Sequence, residues 1–382
     1  MNNVNSFYQK TVRIQTVVCG LLFSIFSFVY LYVFQCDVLE ALHFSLAHGK
    51  THFSALGSAI VISLILLLLR WGVNCLVGLK GKVRSLSYLP SFFVLMALSD
   101  IGRDVYLQSH HSVWIWLLPL LIGGFIAIAY GFRKGLQIKP NTDISESILV
   151  GSNVGIILMG CLMTVMVGNS ETSFHHELQI EKYLRTNDLT QAMRVGERSL
   201  EATRTFTALR ALSLSKANQM GEKLFAYPQN YGSEGLFFSD DSLSVLRYTN
   251  DSIYQHLGAR PYNGENRINY LKRICYENEG KYTALDYYLS ALLLEKQIDT
   301  FATVIPEFYE EEDSLPKYYR EALVVYQAAH PNFPYAQKDS VLLKKYTDYC
   351  QRQTEFTSKK EESNRMRREY GDTYWWYYHY QK

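Results

Sequence analysis

The sequence predicts an all-α protein in two parts, a five-helix transmembrane bundle followed by an extracytoplasmic α-solenoid. Three observations predict this. Residues 1–170 hold 11 Lys/Arg and 6 Asp/Glu, whereas residues 171–382 hold 27 and 30. Five apolar stretches crowd the first part. The second part reads as one amphipathic helical segment after another, with no convincing strand alternation. The net charge of +2 over 382 residues argues neither for nor against nucleic acid, and no nucleic-acid partner is expected.

The apolar stretches run over about 14–35, 53–78, 86–101, 112–132 and 147–168. A helix needs about 20 apolar residues to cross a ~30 Å hydrocarbon core, and most of the five reach that length. The third, SLSYLPSFFVLMALSD, is short and carries Pro90. A helix is still expected there, because backbone facing lipid must satisfy its own polar groups. Basic residues fix the orientation. Lys10 and Arg13 precede the first stretch, Lys80, Lys82 and Arg84 follow the second, and Arg133, Lys134 and Lys139 follow the fourth. The opposite loops hold only Lys50 and Arg103. The N-terminus is therefore expected in the cytoplasm and residues 171–382 outside it. Arg70, inside the second stretch, is expected to snorkel to the inner interface. The first stretch is too long for a signal peptide and no A-x-A site follows it. Gln35 stands where a lipoprotein cleavage site before Cys36 needs a small residue, so neither processing event is expected.

In the second part, KYTALDYYLSALLLEK (281–296) puts Ala284, Tyr288, Ala291 and Leu292 on one helical face, with Leu285 and Leu289 beside them. LPKYYREALVVYQAAH (315–330) does the same through Tyr319, Ala322, Leu323 and Tyr326, and Pro316 suits a first helical turn. Short polar runs separate the segments: TND at 186–188, ENEG at 277–280, EEEDS at 310–314 and HPNFP at 330–334. Residues 177–202 and 268–293 each read as a helix, a tight polar turn and a second helix. They resemble the tetratricopeptide repeat (TPR) at Tyr183, Leu184 and Ala192, and at Tyr270, Gly280, Tyr282 and Ala284. The 34-residue period is not kept, which predicts an irregular, TPR-like α-solenoid over 171–356 and a charged helix with an aromatic strap over 357–382.

Of the 29 tyrosines, 23 lie after residue 170. They serve either as repeat packing or as a binding face for peptide or glycan. Tyr282, Tyr287, Tyr288, Tyr318, Tyr319 and Arg320 are the binding candidates.

GEKLFAYPQ (221–229), EGKYTALDYYLSALL, LPKYYREALVVY (315–326) and the terminal GDTYWWYYHY carry a family resemblance. They are similar to an uncharacterised family of bacterial inner-membrane proteins, chiefly of the Bacteroidota, which pair a multi-spanning N-terminal half with a TPR-like tail. The resemblance covers most of residues 174–380, and the membrane half is shorter than in the larger members. It implies this architecture and a bacterial inner-membrane location, and it implies no activity.

Candidate chemistry centres on the outer loops. His43, His48 and His52 in HFSLAHGKTH are weak metal candidates, because three imidazoles meet only if that loop folds back. His110, His111, His175 and His176 are expected at the same face. No HExxH or paired CxxC is present, and no metal or other cofactor is expected. Asp37, Glu40, Asp100 and Asp104 support an alternative reading as a small polytopic transferase using lipid-linked sugars, or its accessory subunit, with an outer-loop carboxylate as base. Cys275 and Cys350 lie in the oxidising compartment and can pair if their helices adjoin.

The terminal YWWYYHY has three possible places: the end of its own helical domain, the lipid headgroups, or a partner. Exposing so many aromatics costs several kcal/mol at roughly 25 cal/mol per Å², and docking on its own domain is expected. The function expected from all of this is an interaction scaffold in the cell envelope, holding envelope proteins or surface-polymer precursors; catalysis is not the leading expectation.

Overall fold

The structure, a computed structural model, describes residues 2–106, 112–131, 146–239, 247–310, 314–333, 339–356 and 358–381. Every regular element among them is helical. The chain divides into two compact units, Met1–Glu171 and Thr172–Lys382.

Unit 1 opens with α1 (Asn2–Val29), which continues as a π-helical turn over Tyr30–Phe34. Then come α2 (Cys36–Ala47), α3 (Ala55–Val77), a 3-10 helix over Gly81–Tyr88, α4 (Leu89–Ser99), α5 (Trp114–Gly131) and α6 (Glu146–Val167). Among the described residues, four helices are long and apolar enough to cross a membrane: Lys10–Phe34, Ala55–Val77, Trp114–Gly131 and Ile148–Val167. Their outward faces carry exposed Leu64, Leu68, Trp116 and Met166, while Phe23, Phe92, Leu95 and Ile157 are buried.

The third apolar stretch departs from a simple helix. It is eight residues of 3-10 helix followed by only 11 residues of α-helix. Pro90 explains the break. It lacks an N–H to donate back into the preceding turn and stands in the first turn of α4, where that donor is not needed, so the α-ladder begins there. A 3-10 helix rises about 2.0 Å per residue and an α-helix about 1.5 Å, so the combined run is roughly 32 Å long.

Side-chain contacts set its register. The Ser85 N–H donates to Asn153 Oδ1 at 2.8 Å, and Asn153 Nδ2 donates to Gly81 O at 3.0 Å. A Cβ on Gly160 would lie 2.4 Å from Phe92, and one on Gly168 would meet Tyr30 Oη and Ser99. Ser85/Asn153, Phe92/Gly160 and Ser99/Gly168 therefore advance together, and α4 with its 3-10 lead runs parallel to α6. α1 keeps the same sense: Ser85 Oγ donates to Cys19 Sγ at 3.4 Å and Tyr30 Oη to Thr164 O at 3.3 Å. α3 runs opposite, with Ser91 Oγ donating to Leu66 O and Arg70 over the Tyr88 ring. α5 also runs opposite to α4, with Trp114 bonded to Asp100 and Ala129 packed against Val73 and Val77.

Unit 2 comprises α7 (Thr172–Arg185), α8 (Leu189–Arg194), α9 (Arg204–Lys216), α10 (Met220–Lys223), α11 (Asn250–Leu257), α12 (Arg267–Tyr276), α13 (Thr283–Leu294), α14 (Ile298–Phe308), α15 (Lys317–Ala329), α16 (Ser340–Gln353), α17 (Lys359–Tyr370) and α18 (Tyr374–Tyr380). The pairs α7/α8 and α12/α13 occupy the two predicted hairpins. α8 is much shorter than its sequence pattern. It stops at Arg194 because Gly196 takes φ +57, where a Cβ would press on His176 and Phe206. α13 is apolar nearly all round and lies in the core, and its one-sided periodicity understated that.

The aromatic strap forms α18 and is folded into unit 2. Tyr374, Trp375 and Tyr377 are buried. Tyr374 N–H donates to Glu321 Oε2 at 2.7 Å, and Trp375 Nε1 donates to Glu321 O at 2.9 Å. The Tyr374 and Tyr377 hydroxyls donate to Leu293 O and Leu294 O at 3.2 and 2.7 Å. These carbonyls lie in the last turn of α13, where intrahelical donors run out, and Leu293 O also accepts the Lys296 N–H at 3.1 Å. A tyrosine hydroxyl reaches them while its ring fills the core around Phe225.

Candidate binding cleft

The sequence-predicted binding residues do not form one surface. Tyr287, Tyr288, Tyr318 and Tyr319 are buried, with Tyr319 donating to Asp286 Oδ1 at 3.0 Å. They are core packing. Arg320 is half-buried and pairs with Asp339 at 3.2 Å. Tyr282 alone stands out, 77% exposed at the start of α13. Burial keeps both the Tyr287 and Tyr319 phenols above their ordinary range.

The outer-loop candidates are placed in unit 1. Asp37 is in the first turn of α2, and Glu40 is buried one turn later. Asp100 accepts from Trp114 Nε1 at 2.8 Å, and Arg103 beside Asp104 pairs with Glu171. Ser45 Oγ donates to Val105 O at 2.8 Å, so α2 packs against the 101–106 turn. His43 bonds to Thr51 Oγ1 at 3.1 Å, and His48 sits in a left-handed turn at the end of α2. Among the described residues, His52 included, no group of three or more His, Cys, Asp or Glu comes together to hold a metal ion. His110 and His111 lie outside the described residues. Cys275 and Cys350 are free thiols, and burial pushes Cys275 up to about 12.

An open cleft of about 520 Å³ lies where α11 turns toward α12, lined by Asp251, Ser252, Tyr254, Gln255, Gly258, Ala259 and Arg260. Local rules build it. Thr249 and Ser252 form a reciprocal capping box at the start of α11. Gly258 ends α11 at φ +107, and a Cβ there would strike the backbone of Lys281 and Glu279. Lys281 N–H donates to Leu257 O at 2.7 Å, which sets the exposed Tyr282 beside the turn.

One arginine fastens the far wall. Arg273 Nε and Nη2 reach the two carboxylate oxygens of Glu265 at 2.9 and 3.0 Å. Arg273 Nη2 also donates to Arg260 O, Nη1 bonds Glu279, and the guanidinium stacks on Tyr262 at 3.8 Å. That fork holds the Glu265 carboxyl below its ordinary range, first through its hydrogen bonds. Tyr270 Oη donates to Ala259 O at 2.6 Å from beneath. The backbone of the cleft is thus preorganised. Its rim is solvent-facing, with Arg260 and Asp251 paired at 3.1 Å and their side chains 73% and 64% exposed. Arg267 Nη1 donates to Tyr254 Oη at 2.6 Å and fixes that ring.

His256 lies one residue past the lining Gln255. Burial, then Lys216 and Lys281, push it down to about 4, and it shares a 2.9 Å hydrogen bond with Ser215. Sequence reading passed over residues 258–266 because GARPYNGEN has no periodicity. The usable signal was Gly258 directly after an amphipathic run, the pattern of a left-handed helix stop.

The chain belongs to the family of unknown function DUF6057, whose signature matches residues 5–260 and 261–381. A stretch of 128 residues, 33% of this chain, is 28% identical to GDP-fucose transporter 1 of Nematostella vectensis. It spans 32% of that relative's length. No solved structure matches the chain.

Proposed function

We propose that this is a five-crossing protein of a bacterial inner membrane, of the Bacteroidota type, with a cytoplasmic N-terminus and a TPR-like periplasmic unit acting as an interaction scaffold. The membrane part is supported by four apolar helices of crossing length. The fifth crossing is the 3-10/α4 run, supported by its roughly 32 Å length and by the alternating sense of α1, α3, α4, α5 and α6. Asn153 supplies what lipid cannot, a partner for the backbone of the 3-10 turn. The orientation rests on Lys80, Lys82 and Arg84 against Lys50 and Arg103.

The observation that carries the scaffold reading is the clamped cleft of α11 and α12, with Tyr254, Gln255 and Arg260 presented on fixed backbone and Tyr282 beside it. A rigid rim with one aromatic, one amide and one ion pair suits a polar peptide or glycan of an envelope partner. A photo-crosslinker at Gln255 in the native envelope tests it. We expect a discrete adduct that Arg260→Glu with Tyr254→Ala abolishes; an adduct pattern unchanged by that pair of substitutions rejects the cleft.

A second reading, a small membrane transferase or its accessory subunit, is favoured by one observation. α2 with Asp37 and Glu40 packs against the turn that follows Asp100 and contains Asp104. The partial similarity to a GDP-fucose transporter lends loose support to sugar-related work. Loss of an envelope polymer in Asp37→Asn and Asp104→Asn, with Arg260→Glu harmless, would favour this reading over the scaffold.

A further inference from the structure

We propose that the cleft of α11 and α12 takes a neutral oligosaccharide, stacked on Tyr262 and Tyr282 and hydrogen-bonded by the Asp251–Arg260 pair. This rests on the cleft reading above and names its occupant. Tyr270, Tyr287 and Tyr374 are packed inward, whereas Tyr282 and Tyr262 are 77% and 61% exposed, the highest values among the described tyrosines of unit 2. Both stand at one place. A Cβ on Gly258 would strike Lys281 N and Glu279 O, and the Lys281 N–H donates to Leu257 O at 2.7 Å, so the 258–262 turn lies against 279–282. The Arg273 guanidinium covers one face of the Tyr262 ring at 3.8 Å while bonding Arg260 O and Glu279, one residue from each turn. The other face of Tyr262 is left to solvent. An aromatic face is the negative side of its ring, and the C–H face of a pyranose is apolar and weakly positive, so the two stack.

The polar groups of the rim favour the same occupant. Arg260 is paired with Asp251 at 3.1 Å, Arg273 with Glu265 and Glu279, and Lys281 Nζ donates to Gln255 O at 2.8 Å. Each of these cations is engaged, and the charge beside the cleft is close to balanced, which selects neither an acidic nor a basic occupant. A hydroxyl donates and accepts at once. The largely exposed Arg260–Asp251 pair sets a donor beside an acceptor, which two neighbouring hydroxyls satisfy together, and Gln255 adds an exposed amide. A peptide finds less. An extended one adds to a strand edge and a helical one fills an apolar groove. Among the described residues there is no strand, and the only aliphatic side chain lining the cleft is that of Ala259.

The test passes the purified full chain, in detergent, over two surfaces by plasmon resonance. One carries the neutral polysaccharide of its native envelope, freed of protein by protease. The other carries the peptides of that digest. We expect binding to the polysaccharide, indifferent to salt and destroyed by periodate treatment of that surface. It should fall about tenfold in Tyr262→Ala with Tyr282→Ala and stay within about twofold in Tyr262→Phe with Tyr282→Phe, which keep the stacking faces. Polysaccharide binding that the alanine pair leaves unchanged overturns the stacking site. Binding that salt removes overturns a neutral occupant. Binding to the peptide surface alone overturns the oligosaccharide and keeps the cleft. A silent polysaccharide surface, with the Gln255 adduct still formed in the envelope, does the same; loss of that adduct as well rejects the cleft itself. The alanine and phenylalanine forms are compared at equal amide protection of α11. Should Tyr262→Ala unfold the turn, Tyr282→Ala alone, at the more exposed position, decides by the same readings.

Discussion

Unit 1 and unit 2 satisfy buried polar groups by different means. In unit 1 short donors prevail, although Tyr30 Oη also bonds Thr164 O. Ser91 bonds Leu66 O, Thr164 bonds Gly160 O, Ser99 bonds Leu95 O, and Asn153 reaches the adjacent turn. Helices approach closely through glycine, at Gly160 and Gly168. In unit 2 large donors join short ones such as Ser213 and Thr373: Tyr270, Tyr374, Tyr377, Trp375 and Arg210 all bond backbone carbonyls. Burying a big ring is rewarded only where the alternative is water. Between helices in lipid there is no such drive, and close packing of small residues takes its place. Even the buried cations follow this division. Arg210 is sandwiched at 4.2 and 4.1 Å between Phe206 and Tyr227, and burial pushes it down to about 10, so it stays charged at neutral pH. Arg70 has one ring and the bundle's edge.

The comparison predicts that unit 2 is broken by making residues smaller and unit 1 by making them larger. The largest effect is expected at the strap. Trp375→Ala empties a fully buried site and removes the indole bond to Glu321 O, and should cost unit 2 about 3–5 kcal/mol. Removal of residues 372–382 should cost more. Hydrogen exchange at α15 in the full chain reads both; unchanged protection after the deletion would mean the strap is not part of the fold. In unit 1, Gly160→Val should cost about 1–3 kcal/mol by forcing Phe92 from its place. Its partial rescue by Phe92→Ala, measured by unfolding in detergent, separates overpacking from a general loss of helix flexibility.

Asn153→Leu sharpens the contrast. It leaves the Ser85 N–H and Gly81 C=O without their side-chain partner, at about 1–3 kcal/mol for each buried group. The same change at Asn364, exposed on α17, should be near neutral.

The same physics decides what the sequence could reveal. Hydropathy marks the membrane stretches because their exteriors are apolar, and Leu64 or Met166 need no partner to be read. The 3-10 turn was hidden, because periods of 3 and 3.6 barely separate over eight residues and the partner that holds it, Asn153, lies 68 residues away. Tyrosine gave the most misleading signal. Its count suggested a surface, yet Tyr287, Tyr288, Tyr318 and Tyr319 are interior because their helices are enclosed on all sides. Asp37 and Asp104 could be assigned to loops from the sequence. That Ser45 joins those loops could not, since a serine hydroxyl carries no pattern. The cleft depended on Arg273 meeting Glu265 and Arg260 across a turn without periodicity.

The smallest predicted effect is a pair of opposed pH dependences within unit 2. Burial raises the Glu321 carboxyl to about 7, over the opposing pull of the Tyr374 N–H, Lys317 and Lys345. A folded value above the unfolded one means that the folded state keeps a proton the unfolded chain has lost. Its contribution is complete below about 4.5 and lost as pH rises through about 7. Unit 2 should therefore gain about 1 kcal/mol from pH 8 to pH 6 through this group. His256 does the reverse. Its folded value is depressed to about 4, so its contribution is present above about 6.5 and is lost as pH falls through about 4. Glu321→Gln keeps an acceptor for Tyr374 N–H and should flatten the upper limb alone. His256→Asn should flatten the lower limb alone. Protection of α15 and α11 amides between pH 4 and 8 reads the two limbs separately. If Glu321→Gln leaves the upper limb in place, some other group closes the strap, and the seam between α15 and α18 does not govern the pH response of unit 2.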